Sequence, residues 1–283
     1  WRDQCPHRGA QLSRGRVVND RLECPYHGWQ FAASGQCVQV PALPAFIPPA
    51  SHCALTYAAQ EAHDLVWVQL AKSDTTLPAF AAEADARLRK LNCGPYDVAT
   101  SAPRIVENFL DLAHFGFVHE GSLGTRTAAA IDDYAVQPTA TGLLATQCKA
   151  WQPQSSLQAT APARVEYTYE VTAPYAAVLT KLPDAAAVAI AGYRESIALF
   201  ICPRTPETSR VWFRLAVADF ASSDDTLRAF QHGIFMQDLP VLESQRPRRL
   251  PLDLRAELHT AADKASSAYR RHLAELGITF GVC

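Results

Sequence analysis

Alternation of polar and apolar side chains marks the second half of the chain. Val165-Glu-Tyr-Thr-Tyr-Glu-Val171 is the clearest run, and 133–140, 143–151, 195–202 and 210–220 share its wealth of β-branched and aromatic residues. Turn-forming stretches such as 203–209 separate these runs, which predicts an antiparallel sheet of about five or more strands with one face buried. Helical spacing takes over at 224–245. There Ser223 or Asp224 suits an N-cap, Ile234, Phe235, Val241 and Leu242 share a face with Asp238, and Pro240 should kink the helix. A last helix is predicted over 252–276 from Leu254, Leu258, Ala261, Ala265, Tyr269, His272 and Leu273, and another over 78–91. His259 and His272, on or near the last stripe, read as structural.

Residues 1–70 carry a different pattern. Arg16-Val-Val18 and Arg21-Leu-Glu23 are short and strand-like, and they flank an Asn19-Asp20 turn suited to a hairpin. Residues 35–40 alternate again, the proline-rich 41–49 cannot continue inside a sheet, and 64–70 reads as a strand closing a small domain. The expected division is therefore a small domain over 1–70, a connection over 71–98 and a larger domain over 99–283. The fold class is α+β.

Composition narrows the partners. Hydrophobic residues make up 48% and charged ones 19% of the chain, which allows full cores and argues against disorder. A net charge of −2 leaves no basic footprint for nucleic acid, and Arg246-Pro-Arg248-Arg249 reads as a solvated loop. The nearest thing to a membrane span, 185–192, is short and soon meets Arg194 and Glu195. A soluble, cytoplasmic protein is expected, with neither nucleic acid nor membrane as partner. The chain opens at Trp1 rather than Met and reads as a piece of a longer one, so any targeting segment would lie upstream. Eight irregularly spaced cysteines are too few for a disulfide scaffold and read as reduced thiols, a subset of them metal-bound.

Two constellations carry the chemistry. Cys5-Pro-His7 is followed, after sixteen residues, by Cys24-Pro-Tyr-His27-Gly-Trp29, each half putting one Cys and one His on a Pro/Gly-shaped loop. Two thiolates and two imidazoles suit tetrahedral zinc, or a [2Fe–2S] cluster in which two His replace two Cys on one iron. Mixing Cys with His in each half favours the cluster. Cys37 and Cys53 have no His at ligand spacing and read as packing residues, and His52 and His63 as surface residues. The second constellation lies in 107–119, where Asn108, Asp111, His114 and His119 interrupt an apolar run. On one helix they would fall within an arc of about 140°. An amphipathic helix with satisfied core histidines is one reading. The other is a mononuclear Fe(II) held by two His and a carboxylate from elsewhere, with Asp238, on the core face of its own helix, as that carboxylate.

Taken together, Cys5-Pro-His7-Arg-Gly-Ala, Cys24-Pro-Tyr-His27-Gly-Trp29, the N-x-x-D-x-x-H-x-x-x-x-H run from Asn108 to His119 and the late Asp238 resemble the Rieske oxygenases over nearly the whole chain. The resemblance implies a small all-β Rieske domain followed by a helix-grip catalytic domain, an antiparallel sheet around a long helix. It implies a [2Fe–2S] cluster on Cys5, His7, Cys24 and His27, and Fe(II) on His114, His119 and Asp238. Asp111, with Asn108 beside it, would link a cluster histidine of one chain to an iron histidine of the next in a homotrimer. A flavin- and ferredoxin-type reductase would deliver electrons from NAD(P)H, and O2 and a small aromatic compound would be the substrates. Phe109, Phe115 and Phe117, and Trp212 or Phe213, are open to either core or pocket. The vanillate O-demethylase, phenoxybenzoate dioxygenase and toluenesulfonate methyl-monooxygenase group looks nearest, which implies hydroxylation or demethylation of aromatic acids, aryl ethers or methyl-arenes. A ring cis-dihydroxylating dioxygenase is the alternative, and a zinc-stabilised ligand-binding protein a distant one.

Overall fold

The computed structural model describes residues 1–71, 73–189 and 194–283. By internal contacts these form two compact units, Trp1–Leu77 and Pro78–Cys283. Residues 190–192 of the apolar stretch noted above lie outside the described residues.

The first unit is built of short strands. β1 (Arg16–Val18), β2 (Arg21–Glu23), β3 (Gln30–Phe31) and β4 (Cys37–Gln39) form a four-stranded antiparallel meander. Asn19 and Asp20 both take positive φ, the twist that a two-residue hairpin turn requires. β5 (Ala58–Ala62) and β6 (Leu65–Gln69) make a separate hairpin, turned by His63 and Asp64 in the same conformation. The core consists of Cys5, Leu12, Cys24, Phe31, Cys37, Val40 and Ala54. Cys37 packs as expected, whereas Cys53 is exposed.

The second unit is organised by a seven-stranded antiparallel sheet in the order β7-β13-β12-β11-β10-β9-β8. In chain order it begins with β7 (Arg89–Val98), α1 (Ala102–Leu110) and a single turn, α2 (Phe115–Val118). β8 (Ala135–Pro138), β9 (Leu143–Gln152), β10 (Ala163–Ala173), β11 (Ala176–Leu182), β12 (Glu195–Thr205) and β13 (Thr208–Val217) follow, then α3 (Asp224–Ser244) and α4 (Lys264–Glu275). α1 packs on β11 and β12, α3 on β7, and α4 on β8 and β9. β10 shows why the sheet holds: Val165, Tyr167, Tyr169 and Val171 are all buried, each at most 2% exposed, while the residues between them are not.

Three elements differ from the sequence reading. Residues 78–91 hold only a 3₁₀ turn, Ala81–Ala84, before β7 starts at Arg89. The last helix is much shorter than 252–276. Thr260 accepts a hydrogen bond from Ala262 N and Asp263 answers with a capping box, so helical structure starts only there, and Leu258 is 99% exposed. The 107–119 stretch is not one helix. α1 ends at Asp111, whose backbone is extended and whose Oδ1 accepts from Ala113 N at 2.7 Å, and α2 is a separate turn bracketed by His114 and His119. At the other end α3 begins as expected, with Ser223 Oγ accepting from Thr226 N, and it runs through Pro240.

Candidate metal centres

The two Cys/His loops of the first unit are built to one plan. Cys5 N donates to Ala10 O and Gly9 N to Cys5 O, at 2.8 and 2.9 Å. Cys24 N donates to Trp29 O and Gly28 N to Cys24 O, at 2.9 and 3.1 Å. Gly9 and Gly28 both sit at positive φ, which closes each loop without a Cβ penalty. The loops bring Cys5 beside Cys24 and set the His7 and His27 rings 4.7 Å apart between centroids. Trp29 stacks on His7 at 4.4 Å and 5°. His52 in turn stacks on Trp29, so it is a half-buried neighbour of the loops rather than a free surface residue.

Protonation suits ligation at the imidazole of the first loop and resists it at the thiol. Burial, the facing His27 and Arg8 lower the His7 pKa, favouring the neutral ring that binds metal. His7 Nδ1 is buried without a hydrogen-bond partner. Burial, with Cys24 close by, pushes the Cys5 thiol up to about 11, so a proton must leave when metal binds. Among the described residues, these four side chains do not bring three donor atoms within 4.8 Å of one another. They therefore do not close around a single ion as structural zinc requires, and they fit a two-iron cluster spanning the loops.

His114, His119 and Asp238 do converge in that way. His114 Nε2 lies 3.2 Å from His119 Nε2, and Asp238 Oδ1 is 3.4 and 3.3 Å from the same two nitrogens. His114 Nδ1 donates to Asp111 Oδ2 at 3.2 Å and His119 Nδ1 to Gln237 Oε1 at 2.8 Å. With the ring protons held on Nδ1, both Nε2 lone pairs point at one spot beside a carboxylate, an arrangement of acceptors suited to a metal cation. Burial lowers the His119 pKa, but Asp238 and Gln237 outweigh it and raise it overall. Asn108 Nδ2 donates to Asp238 Oδ1 at 3.3 Å and fixes that oxygen's orientation. Two imidazoles and one carboxylate on one side of a metal leave its other positions open, which fits Fe(II).

Local packing holds the histidine turn in place. A Cβ on Gly116 would sit 2.8 Å from Thr125 O, and one on Gly124 would sit 2.5 Å from the Phe115 carbonyl carbon. Only glycines let the loop press this closely on α2. Asp238 arrives from α3, one helical turn after Ile234 and Phe235 and two after Gln231.

A cavity of about 80 Å³ lies against these three residues. α1 and α2 contribute Phe109 and Phe115, β13 contributes Phe213, and Phe235 comes from α3. The sheet supplies two adjacent rows, Tyr167–Lys181–Glu195 and Tyr169–Leu179–Ile197, which are cross-strand neighbours on β10, β11 and β12. Phe117 is not part of it, being 53% exposed under Arg126, and Trp212 is not a lining residue either. Sequence reasoning missed Gln237, Lys181 and Glu195. Tyr167 and Tyr169 were visible in the alternation of β10, and Lys181 was detectable only as a lone cation in an apolar run.

Similarity to known proteins runs over both units. Residues 1–58 match the Rieske [2Fe-2S] domain and residues 98–277 the vanillate O-demethylase oxygenase C-terminal domain. A probable methylxanthine N7-demethylase of Pseudomonas sp. (strain TJI-51) is 36% identical over 79% of this chain and 79% of its own length. The methylxanthine N1-demethylase of Pseudomonas putida is 32% identical over 97% of the chain and 76% of its own. The solved structure of the Pseudomonas putida CBB5 enzyme NdmA with caffeine superposes with a TM-score of 0.84 at 32% identity, covering 97% of this chain and 77% of that one.

Proposed function

The chain belongs to the Rieske non-haem iron oxygenases whose C-terminal domain is of the vanillate O-demethylase type, and on that footing we propose that it demethylates a small methylated heteroaromatic of the methylxanthine kind. As a terminal oxygenase it uses O2 and electrons that a reductase draws from NAD(P)H. We take that reductase to be of flavin and ferredoxin type and the working assembly to be a homotrimer. Within the small aromatic compounds expected from sequence, we favour nitrogen heterocycles because two methylxanthine demethylases are similar over most of the chain.

The observation that carries the reading is the convergence of His114 Nε2, His119 Nε2 and Asp238 Oδ1 beside an aromatic-lined cavity. Those three side chains would hold the iron, and Cys5, His7, Cys24 and His27 the cluster. When bound, the iron supplies O2 activation and the cluster supplies electrons one at a time. Asp111 holds the His114 proton on Nδ1 and so keeps Nε2 free, and Gln237 does the same for His119. Asn108 steadies the carboxylate. Phe109, Phe213 and Phe235 offer ring faces to a flat substrate and keep water from the methyl group. Asp111 is 29% exposed, which leaves its free edge available to a histidine of a neighbouring subunit.

Two assays test this. Anaerobically purified protein should hold about three iron and two acid-labile sulfide per chain, and His114→Ala should hold about one iron fewer with the sulfide unchanged. With a reductase and NAD(P)H, caffeine or theobromine should yield formaldehyde. Diol products from unmethylated arenes would point to ring dihydroxylation instead, and zinc without sulfide would end the oxygenase reading.

A further inference from the structure

Lys181 and Glu195 are an unusual pair for the wall of an aromatic pocket. They face each other across β11 and β12, they are 5% and 6% exposed, and they line the cavity that the metal-binding residues share. Yet Lys181 Nζ and Glu195 Oε2 are 3.8 Å apart, beyond hydrogen-bond reach. Lys181 Nζ donates instead to Ser155 O. Glu195 Oε2 is buried without a hydrogen-bond partner among the described residues, and so is Tyr169 Oη in the adjacent row. A buried acceptor left unmade is costly, and so is a buried pair whose geometry stops short of contact. Burial pushes the Glu195 pKa up and the Lys181 pKa down, while each partner's charge resists the change in the other. The row is therefore incomplete as it stands. Among the described residues of the neighbouring strands, Glu195 pairs across with Val217 on β13, which offers it no side-chain donor, and Lys181 with Tyr167 on β10, whose ring it faces at 5.8 Å.

We propose that Glu195, held in place by Lys181, accepts a hydrogen bond from a ring N–H of the substrate, so that the pocket selects neutral heteroaromatics that keep an N–H. The inference rests on the reading of the cavity as the substrate pocket of a demethylating oxygenase. Two kinds of molecule are then disfavoured. A fully alkylated heterocycle leaves Glu195 unsatisfied, and an aromatic carboxylate brings a second negative charge beside Glu195, whose ion-pair partner Lys181 is already directed at Ser155. The apolar row of Leu179 and Ile197 takes the face of the ring, while Tyr169 Oη can serve a ring carbonyl.

Binding and turnover separate the inference from its premise. Dissociation constants are measured calorimetrically, without oxygen, on the iron-loaded protein with theobromine (one ring N–H), caffeine (none) and 4-methoxybenzoate (an anion), and formaldehyde is assayed in parallel. Theobromine should bind at least about tenfold tighter than caffeine, with methoxybenzoate weakest. In the double variant Lys181→Met/Glu195→Leu, which replaces the pair by apolar side chains of similar size, that preference should collapse to within about threefold. Equal binding of theobromine and caffeine by the unaltered protein, a preference that survives in the double variant, or tightest binding of methoxybenzoate would each overturn the inference. Formaldehyde released in those cases would leave the demethylase reading standing. The expected binding order without formaldehyde from any probe would support the pocket assignment and sink the reaction. Should the double variant fail to fold, the order shown by the unaltered protein decides.

Discussion

Asp111 ends α1, caps the turn that follows and orients His114, all through one carboxylate. Only the last of these needs a negative charge, since an amide oxygen can still accept from Ala113 N. Asp111→Asn should therefore keep iron and sulfide at their full complement while turnover with the reductase falls by about a hundredfold. Normal coupled turnover in that variant would refute the role. The same economy explains why this stretch reads well at the level of single residues. A carboxylate and two imidazoles in an apolar run have no cheap fate other than pairing or metal, and here Asp111 pairs with His114 while His114 and His119 converge on Asp238. Their partners were harder to see. Gln237 and Asn108 are ordinary amides whose importance comes only from what lies opposite them in the fold.

At the scale of elements, legibility followed burial on one face. β10 alternates because one side of the sheet is packed there and the other is not, whereas β12 and the end of β13 are buried continuously and were readable from their β-branched and aromatic residues. β11 (Ala-Ala-Val-Leu-Thr-Lys-Leu) runs apolar almost without alternation, and β7 carries Gly94-Pro95 in mid-strand, so neither announced itself. The 252–276 stripe extrapolated a true helix backwards through residues that serve another purpose. Glu257, in that irregular segment, accepts from Arg104 Nη2 and Arg270 Nη2, both at 2.5 Å, while Arg270 also binds Glu107 at 2.6 and 2.9 Å. This network ties α1, which carries Asn108, to α4. Burial would raise the Glu257 pKa, but the two guanidinium groups prevail and bring it from 4.5 down to about 2. A depressed carboxylate stabilises the fold above its unfolded pKa, and that contribution fades as pH falls from about 4.5 towards 2. Glu257→Gln should accordingly cost about 2 kcal/mol in urea unfolding at pH 7, after allowance for partial exposure, and far less near pH 2. An equal loss at both pH values would show that shape rather than charge is what matters there.

At the scale of the whole molecule, the two units depend on metal to different degrees. The first has a core in which Cys5 and Cys24 are themselves members, and small cores of this kind draw their stability from the bound cofactor. The second has an extensive core of its own on the seven-stranded sheet. Removing the cluster with acid and chelator should therefore lower the melting of the first unit and open 1–77 to protease, while a fragment starting near Pro78 survives. A single melting transition indifferent to cluster loss would contradict this. Among the described residues no helix is long and apolar enough to cross a membrane. The cavity in the second unit has one more consequence. Its reactive corner is supplied by His114 and His119 from the α2 turn and Asp238 from α3, whereas its polar and apolar rows come from β10, β11 and β12. Chemistry and taste are thus written on different secondary structures. Substitutions at 179, 181, 195 and 197 can re-aim the catalyst at a new ring without disturbing what oxidises it, which makes those four strand positions the natural library for changing its diet.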